Sequence, residues 1–384
     1  MFLNWILGSL AVVSCGLTLW QWLAARRFPL HQRAADKSFS PALTLLKPLK
    51  GCDAETKESL QSWFAQEYSA PIQILFGVAS ANDPVCELVK KLISENPKAD
   101  AKLIVCGESH GPNGKISTLI QLERHAQNEI LIISDADVRV PKDFLTHVVQ
   151  PLEKTEVGLV NCFYRLANPT TVAMQWEAIA VNADFWSQVL QSQILKPLDF
   201  ALGAVMATRR EQLKQIGGFE SLVDFLADDY QLGNKIARQG KQIVLSPVVV
   251  ECWESPMNWK RVWAHQLRWA RTIRVSQPAP FFFSILSNSS LWALLFTAAL
   301  LTEHHKFWFV PISIFLPIRI QAALKMQEWL TRDSNHYAWF WLVPIKDLLN
   351  AAIWTLAFLG NTVEWRGEKF RVLQGGKLEK FRQE

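Results

Sequence analysis

Ile130-Leu131-Ile132-Ile133-Ser134-Asp135-Ala136-Asp137 is a short apolar run that breaks into two acids two residues apart. A run of this length with no polar face reads as a strand covered on both sides, and the acids then fall at its carboxyl end. Working outward, Leu43–Leu46, Ile72–Val78, Lys102–Cys106 and Val157–Cys162 read as further strands. Glu55–Gln66, Pro84–Ser94, Lys115–Ala126 and Lys142–Leu152 read as amphipathic helices between them. Strand–helix alternation predicts a mostly parallel sheet with helices on both faces. Ligands of such sheets bind beyond the carboxyl ends of the strands, so the residues after each strand matter most.

The 384 residues leave room for one catalytic domain plus several membrane spans. The hydrophobic fraction of 49 % hides a split between apolar ends and an ordinary globular middle. Many of the 17 tryptophans lie in the terminal thirds, where their rings suit the lipid headgroup level. The net charge is +5, and the basic residues are scattered or beside apolar segments. That suits an anionic membrane face and not nucleic acid. Cys15, Cys52, Cys86, Cys106, Cys162 and Cys252 form no C-x-x-C pair and read as reduced thiols.

Phe2–Ala25 is long enough to cross a bilayer, and Arg26 and Arg27 follow it directly. A cleaved signal would carry its charge before the apolar core, so residues 1–25 are expected to be an uncleaved anchor with the following domain cytoplasmic. The catalytic domain is expected over 40–278 and membrane segments over 279–362, with a basic tail at 363–384. Val172–Leu195 reads as one long helix. Phe281–Leu301, Phe307–Leu324 and Ala338–Leu359 are candidate spans, the last two carrying Arg319, Lys346 and Asp347. Three spans would put the tail across the membrane from the catalytic domain. Its charges (Arg366, Lys369, Arg371, Lys377, Lys380 and Arg382) favour the cytoplasm instead, so two to three spans stay open.

Four signals fall near strand ends: Asp83 in Asn82-Asp83-Pro84, the pair Asp135/Asp137, Asp228-Asp229-Tyr230, and His265-Gln266-Leu267-Arg268-Trp269. A nucleotide-diphosphate leaving group needs a cation to offset its charge, and carboxylates of the D-x-D kind suit Mg²⁺ or Mn²⁺. A separate carboxylate must take the proton from an attacking hydroxyl. Arg268 can fork onto phosphate oxygens, with Trp269 beside it as an apolar wall. Each signal has a plainer reading: helix capping for Asp83, for Asp135/Asp137 and for Asp228-Asp229, a solvated helix start for Lys115, and interface anchoring for Arg268-Trp269.

The ordered set, with Pro112-Asn113-Gly114-Lys115-Ile116 and Leu226-Ala227-Asp228-Asp229-Tyr230, resembles the inverting family-2-like glycosyltransferases, and more narrowly ceramide glucosyltransferases and their hopanoid-associated bacterial relatives. The resemblance implies an α/β GT-A (nucleotide-diphospho-sugar transferase, Rossmann-like) domain with N- and C-terminal transmembrane helices. It implies transfer of glucose or N-acetylglucosamine from a UDP-sugar to a membrane lipid (ceramide or another sphingolipid, or a hopanoid), in the inner membrane with catalysis on the cytoplasmic side. It assigns Asp83 to uridine, Lys115 to the base or diphosphate, Asp135 to ribose and diphosphate, and Asp137 to the metal, with Asp135 as a second ligand. Asp229 becomes the general base, and Arg268 with Trp269 the clamp on the departing diphosphate. His265 stands where the family usually carries Gln or Arg, and is a further metal candidate. The D-x-D is complete here, whereas animal ceramide enzymes carry a degenerate form. A processive polysaccharide synthase and a polyprenyl-phosphate sugar transferase are the alternative readings.

Overall fold

The computed structural model describes residues 1–34, 37–365 and 367–381. Thirteen further ranges follow the first helix, α1 (Phe2–Arg27): α2 (Thr56–Phe64), α3 (Val85–Glu95), α4 (Gly114–Glu123), α5 (Phe144–Val149), α6 (Val172–Ile179), α7 (Trp186–Leu195), α8 (Arg210–Gln215), α9 (Asp228–Arg238), α10 (Trp259–Ser276), α11 (Pro278–Phe283), α12 (Ser289–Thr302), α13 (Val310–Thr331) and α14 (Leu342–Phe358). The strands are β1 (Leu43–Leu49), β2 (Ile72–Val78), β3 (Asp100–Val105), β4 (Ile130–Ser134), β5 (Val138–Arg139), β6 (Val157–Leu166), β7 (Val205–Arg209), β8 (Gln242–Cys252), β9 (Thr362–Trp365), β10 (Glu368–Val372) and β11 (Leu378–Lys380).

An eight-stranded sheet runs in the order β3-β2-β1-β4-β7-β6-β8-β5. Its first four strands are parallel, as the alternation predicted. The rest is mixed: β7 runs antiparallel to both β4 and β6, and β5 antiparallel to β8. Alternate residues of the central strands feed two cores. Leu43, Leu45, Ile130 and Ile132 pack toward α2, α3 and α5, while Leu46, Leu131 and Ile133 pack toward α4 and the core shared with α6, α7, α13 and α14. Full burial of β4 explains why Ile130–Ile133 reads as an unbroken apolar run, and β1 is as fully buried although it carries Thr44 and Lys47.

The first helix presents a small and polar stripe (Ala11, Ser14, Cys15, Thr18, Gln21, Ala25) to the protein, while Leu3, Trp5, Val12 and Val13 stay exposed. Small residues inward and large apolar residues outward suit a helix whose surroundings are lipid. Among the described residues α1 alone is long and apolar enough to span, or α1 plus the pair Pro278–Ser287 and Ser289–Thr302, which bends by 53°. The second and third predicted blocks became α13 and α14, whose charges Arg319, Lys346 and Asp347 are buried against the domain.

Much of the expected tail is folded. Strands β9–β11 form a meander around Val363, Phe370, Val372 and Leu378. It docks on the catalytic domain through Leu226 N–H to the Gly376 carbonyl (3.2 Å) and Leu378 N–H to the Asp224 carbonyl (2.6 Å). Arg366 and Arg382 lie outside the described residues.

Candidate active site

The acids after β4 sit over a buried lysine that the sequence reading did not single out. Lys47, in the middle of β1, is fully buried; its Nζ donates to Ser134 Oγ (3.1 Å) and to the Asp135 carbonyl (2.5 Å) and lies 5.2 Å from the Trp63 ring centre. Burial pulls the Lys47 pKa down, against the opposing pull of Asp137 and then Asp135. Asp137 shifts the other way: burial raises its pKa, Asp135 adds to the rise, and Lys47 and Lys115 oppose it. Its backbone is pinned, since Trp253 N–H donates to its carbonyl at 3.1 Å.

Asp135 faces Lys115, which bridges two motifs. Lys115 Nζ lies 2.7 Å from Asp135 Oδ1 and 2.8 Å from Asp228 Oδ2, with both Lys115 and Asp228 almost closed to water. Asn113 places it there. As N-cap of α4 its side chain accepts from Ile116 N–H (3.1 Å), and its Nδ2 donates to the Phe225 carbonyl (2.8 Å) in the loop before Asp228. Lys115 is therefore neither a solvated helix start nor, in this state, aimed outward; the acids hold its pKa above the usual lysine range despite burial.

Asp229 lies in the first turn of α9, and its Oδ1 accepts from Tyr230 N–H at 2.7 Å. Burial, and then the Asp228 charge, raise its pKa to about 7, against the opposing effect of Lys115. A carboxylate with that pKa is matched to proton abstraction near neutrality. Helix α9 reaches the site because Gly233 lets it touch the Phe200–Ala201 backbone: a Cβ there would lie 2.3 Å from Ala201 N. Tyr230 stacks on Phe200 and donates to the Ser276 carbonyl (3.3 Å), tying α9 to the end of α10.

Asp83 has the capping role that is its plainer reading. It accepts from Val85 N–H (3.0 Å) at the start of α3 and from Gly51 N–H (3.0 Å) in the loop after β1. The capping is real, and it also ties together two loops at the same carboxyl edge that carries Asp135.

The last motif lies on α10. His265 Nδ1 is 2.6 Å from Glu177 Oε1, which also accepts from Gln266 Nε2 (2.8 Å), and the His265 ring packs on Trp269 at 4.6 Å. A buried carboxylate thus sits beside Nδ1 of the residue expected as a further metal candidate. Arg268 and Asp137 are both within electrostatic reach of Glu254, whose pKa burial pushes to about 7. Glu177 and Glu254 are acids the sequence did not mark, because neither sits in a recognisable spacing. Among the described residues no three His, Cys, Asp or Glu side chains converge as a metal cage. Asp135 and Asp137 are hard oxygen donors that fit a Mg²⁺ or Mn²⁺ completed by water and substrate phosphate, the usual mode for such ions. The described cysteines are all free thiols, with only Cys52 exposed.

Residues 6–378 match the sequence profile of glycosyl transferase family 21, so the chain belongs to that family. Ceramide glucosyltransferase 3 of Caenorhabditis elegans is 22 % identical over 370 residues, 93 % of this chain and 78 % of the relative. A beta-monoglucosyldiacylglycerol synthase of Trichormus variabilis is 27 % identical over 246 residues, 63 % of this chain and 51 % of the relative. Among solved structures, a mannosyltransferase from Pyrobaculum calidifontis in complex with GDP-Man and Mn²⁺ superposes with a TM-score of 0.53 at 22 % identity, covering 91 % of this chain and 98 % of that one. The fold is GT-A, and the protein is a glycosyltransferase.

Proposed function

We propose that this family-21 glycosyltransferase moves a hexosyl unit, glucose or N-acetylglucosamine, from a UDP-sugar to the hydroxyl of a membrane lipid, with inversion. The observation that carries the reading is Asp229: a half-buried carboxylate with a pKa raised to about 7, set beside the ion-paired Asp135–Lys115–Asp228 group at the sheet's carboxyl edge. Lipid acceptors in the printed names of the relatives, and an apolar α1 with its large side chains outward, support the acceptor class.

In this reading Asp229 takes the proton from the attacking lipid hydroxyl as the sugar bond forms. Lys115 spaces Asp135 from Asp228 and keeps their combined charge from suppressing ionisation of Asp229. Asp83 and Asp135 meet the nucleoside, and Arg268 with Trp269 meets the diphosphate. A Mg²⁺ or Mn²⁺ held by Asp137 and Asp135 would supply positive charge to the leaving group.

Arg26 and Arg27, which end α1, support a cytoplasmic catalytic domain under the inner membrane. The meander hydrogen-bonds to the catalytic domain, so the chain between them crosses the bilayer an even number of times. With the bent α11–α12 pair the one further span candidate among the described residues, this supports a re-entrant pair over three crossings. Membranes containing the protein, incubated with radiolabelled UDP-glucose and UDP-N-acetylglucosamine, test the proposal. It expects label in the lipid extract as a glycosylated lipid identified by mass spectrometry; label only in free sugar would contradict it.

A further inference from the structure

The helix predicted over Val172–Leu195 is interrupted. Between α6 and α7 it widens into a π turn at Ala180–Phe185, a rare geometry that often marks functional positions. Asn182 fastens the turn to the end of β6, its Oδ1 accepting from Leu166 N–H (2.9 Å) and its Nδ2 donating to the Leu166 carbonyl (3.1 Å). The turn aims two side chains in different directions. Phe185 packs on Tyr164 (5.8 Å) and on Trp269 (6.5 Å), and Tyr164 is within electrostatic reach of Asp229. Asp184 instead enters a buried ion cluster: Arg319 donates to Asp184 Oδ2 (2.8 Å) and to Asp347 Oδ2 (2.9 Å), while Lys346 contacts Asp184 and lies 2.8 Å from Asp347 Oδ1.

Between these two ends lies a cavity of about 190 Å³, walled by α1, the π turn, α10, α13 and α14, with Phe185 and Trp269 on one side and the ion cluster on the other. Its rim meets exposed apolar surface at Ile273, and Phe282 and Phe283 stand exposed just before the Ser284–Ser287 wall. We propose that this cavity holds the polar head of the acceptor lipid, with Phe185 and Trp269 at the edge where it meets the donor side, and that the head it accepts is uncharged.

The charge argument decides the class. Arg319 and Lys346 balance Asp184 and Asp347, so the floor is neutral and its strong donors and acceptors are already matched. A phosphate head would bring a net charge that the neutral floor does not offset, at a desolvation cost. A head bearing hydroxyl or amide groups brings none, and Gln188 and Asn350 line the cavity with amide groups able to meet it. The inference rests on the lipid-glycosylation reading and adds the place and charge of the acceptor.

The test uses the full chain in phosphatidylcholine nanodiscs, with a photoactivatable ceramide carrying its diazirine close to the head. Labelling is expected within peptides spanning 180–188 and 266–273, and excess unlabelled ceramide should suppress it. Ala180→Phe and Ile285→Trp, which fill the cavity from two walls, should each raise the acceptor KM by roughly tenfold or more, with UDP still bound. Labelling elsewhere, or an unchanged acceptor KM in both variants, would overturn the site. A polyprenyl phosphate that competes as well as ceramide would overturn the neutral-head assignment. If the wild type glycosylates no lipid in the nanodiscs, the functional reading itself fails, an outcome distinct from either of these.

Discussion

A Cβ on Gly203 would stand 2.7 Å from Asp229 Oδ2, so the carboxylate proposed as base occupies space that only glycine leaves open. Gly203 lies just before β7, the antiparallel strand beside β4, and φ there is not in the left-handed region, so sterics alone make the demand. Gly203→Ala is expected to push Asp229 off its position and lower kcat by about tenfold or more, since small misplacements of a reacting group are costly. The affinity for UDP should change little. Equal turnover in the variant, measured with lipid acceptor at saturation, would mean that Asp229 need not sit where it does.

The raised Asp229 pKa sets a pH profile. Only the ionised carboxylate accepts a proton, so kcat should climb with pH through about 7 and level above it. The sign for stability is opposite. The folded chain holds this proton more tightly than the unfolded one, so stability contributed by Asp229 falls as pH rises from the ordinary carboxylate value of about 4 to about 7. Asp229→Asn should remove that increment, visible as a flatter dependence of the melting temperature on pH over this window.

Lys115 links both effects. Replacing it with Met leaves Asp228 buried without its cation, a loss expected at roughly 3–5 kcal/mol of stability. Lys115 also opposes the rise in the Asp229 pKa, so the midpoint of the pH–rate curve should move upward in any folded fraction. Denaturant melts and pH–rate curves read the two separately, and a midpoint that stays put would place Lys115 outside the electrostatics of the base.

If Asp137 and Asp135 hold a divalent cation, chelator should abolish transfer and added Mn²⁺ or Mg²⁺ should restore it, while Asp137→Ala should lose the rescue. Full turnover in chelator would assign the leaving-group charge to Arg268 and its neighbours instead.

Local periodicity carried the parallel half of the sheet. The predicted Ile72–Val78 and Ile130–Ser134 match β2 and β4 in both bounds, because these strands are enclosed and their apolar runs end sharply. The antiparallel insertion of β7 between β4 and β6 was not legible, since strand order depends on pairing over long separations. Lys47 was invisible because a lysine inside an apolar strand carries no spacing signal of its own. The last two apolar blocks carry Arg319, Lys346 and Asp347 as isolated charges in the sequence. Their mutual pairing through Asp184 in the π turn could be seen only in three dimensions.

The central claim is that Asp229 takes the proton from a lipid hydroxyl while other residues bind the donor. Asp229→Asn keeps the side-chain shape and removes the acceptor of that proton, so the decisive measurement is lipid-product turnover alongside UDP-sugar affinity in the same preparation. The account predicts turnover lower by about a hundred- to ten-thousand-fold with donor affinity nearly unchanged, and a milder loss for Asp228→Asn. Near-normal turnover in Asp229→Asn, or a defect confined to donor binding, would contradict it.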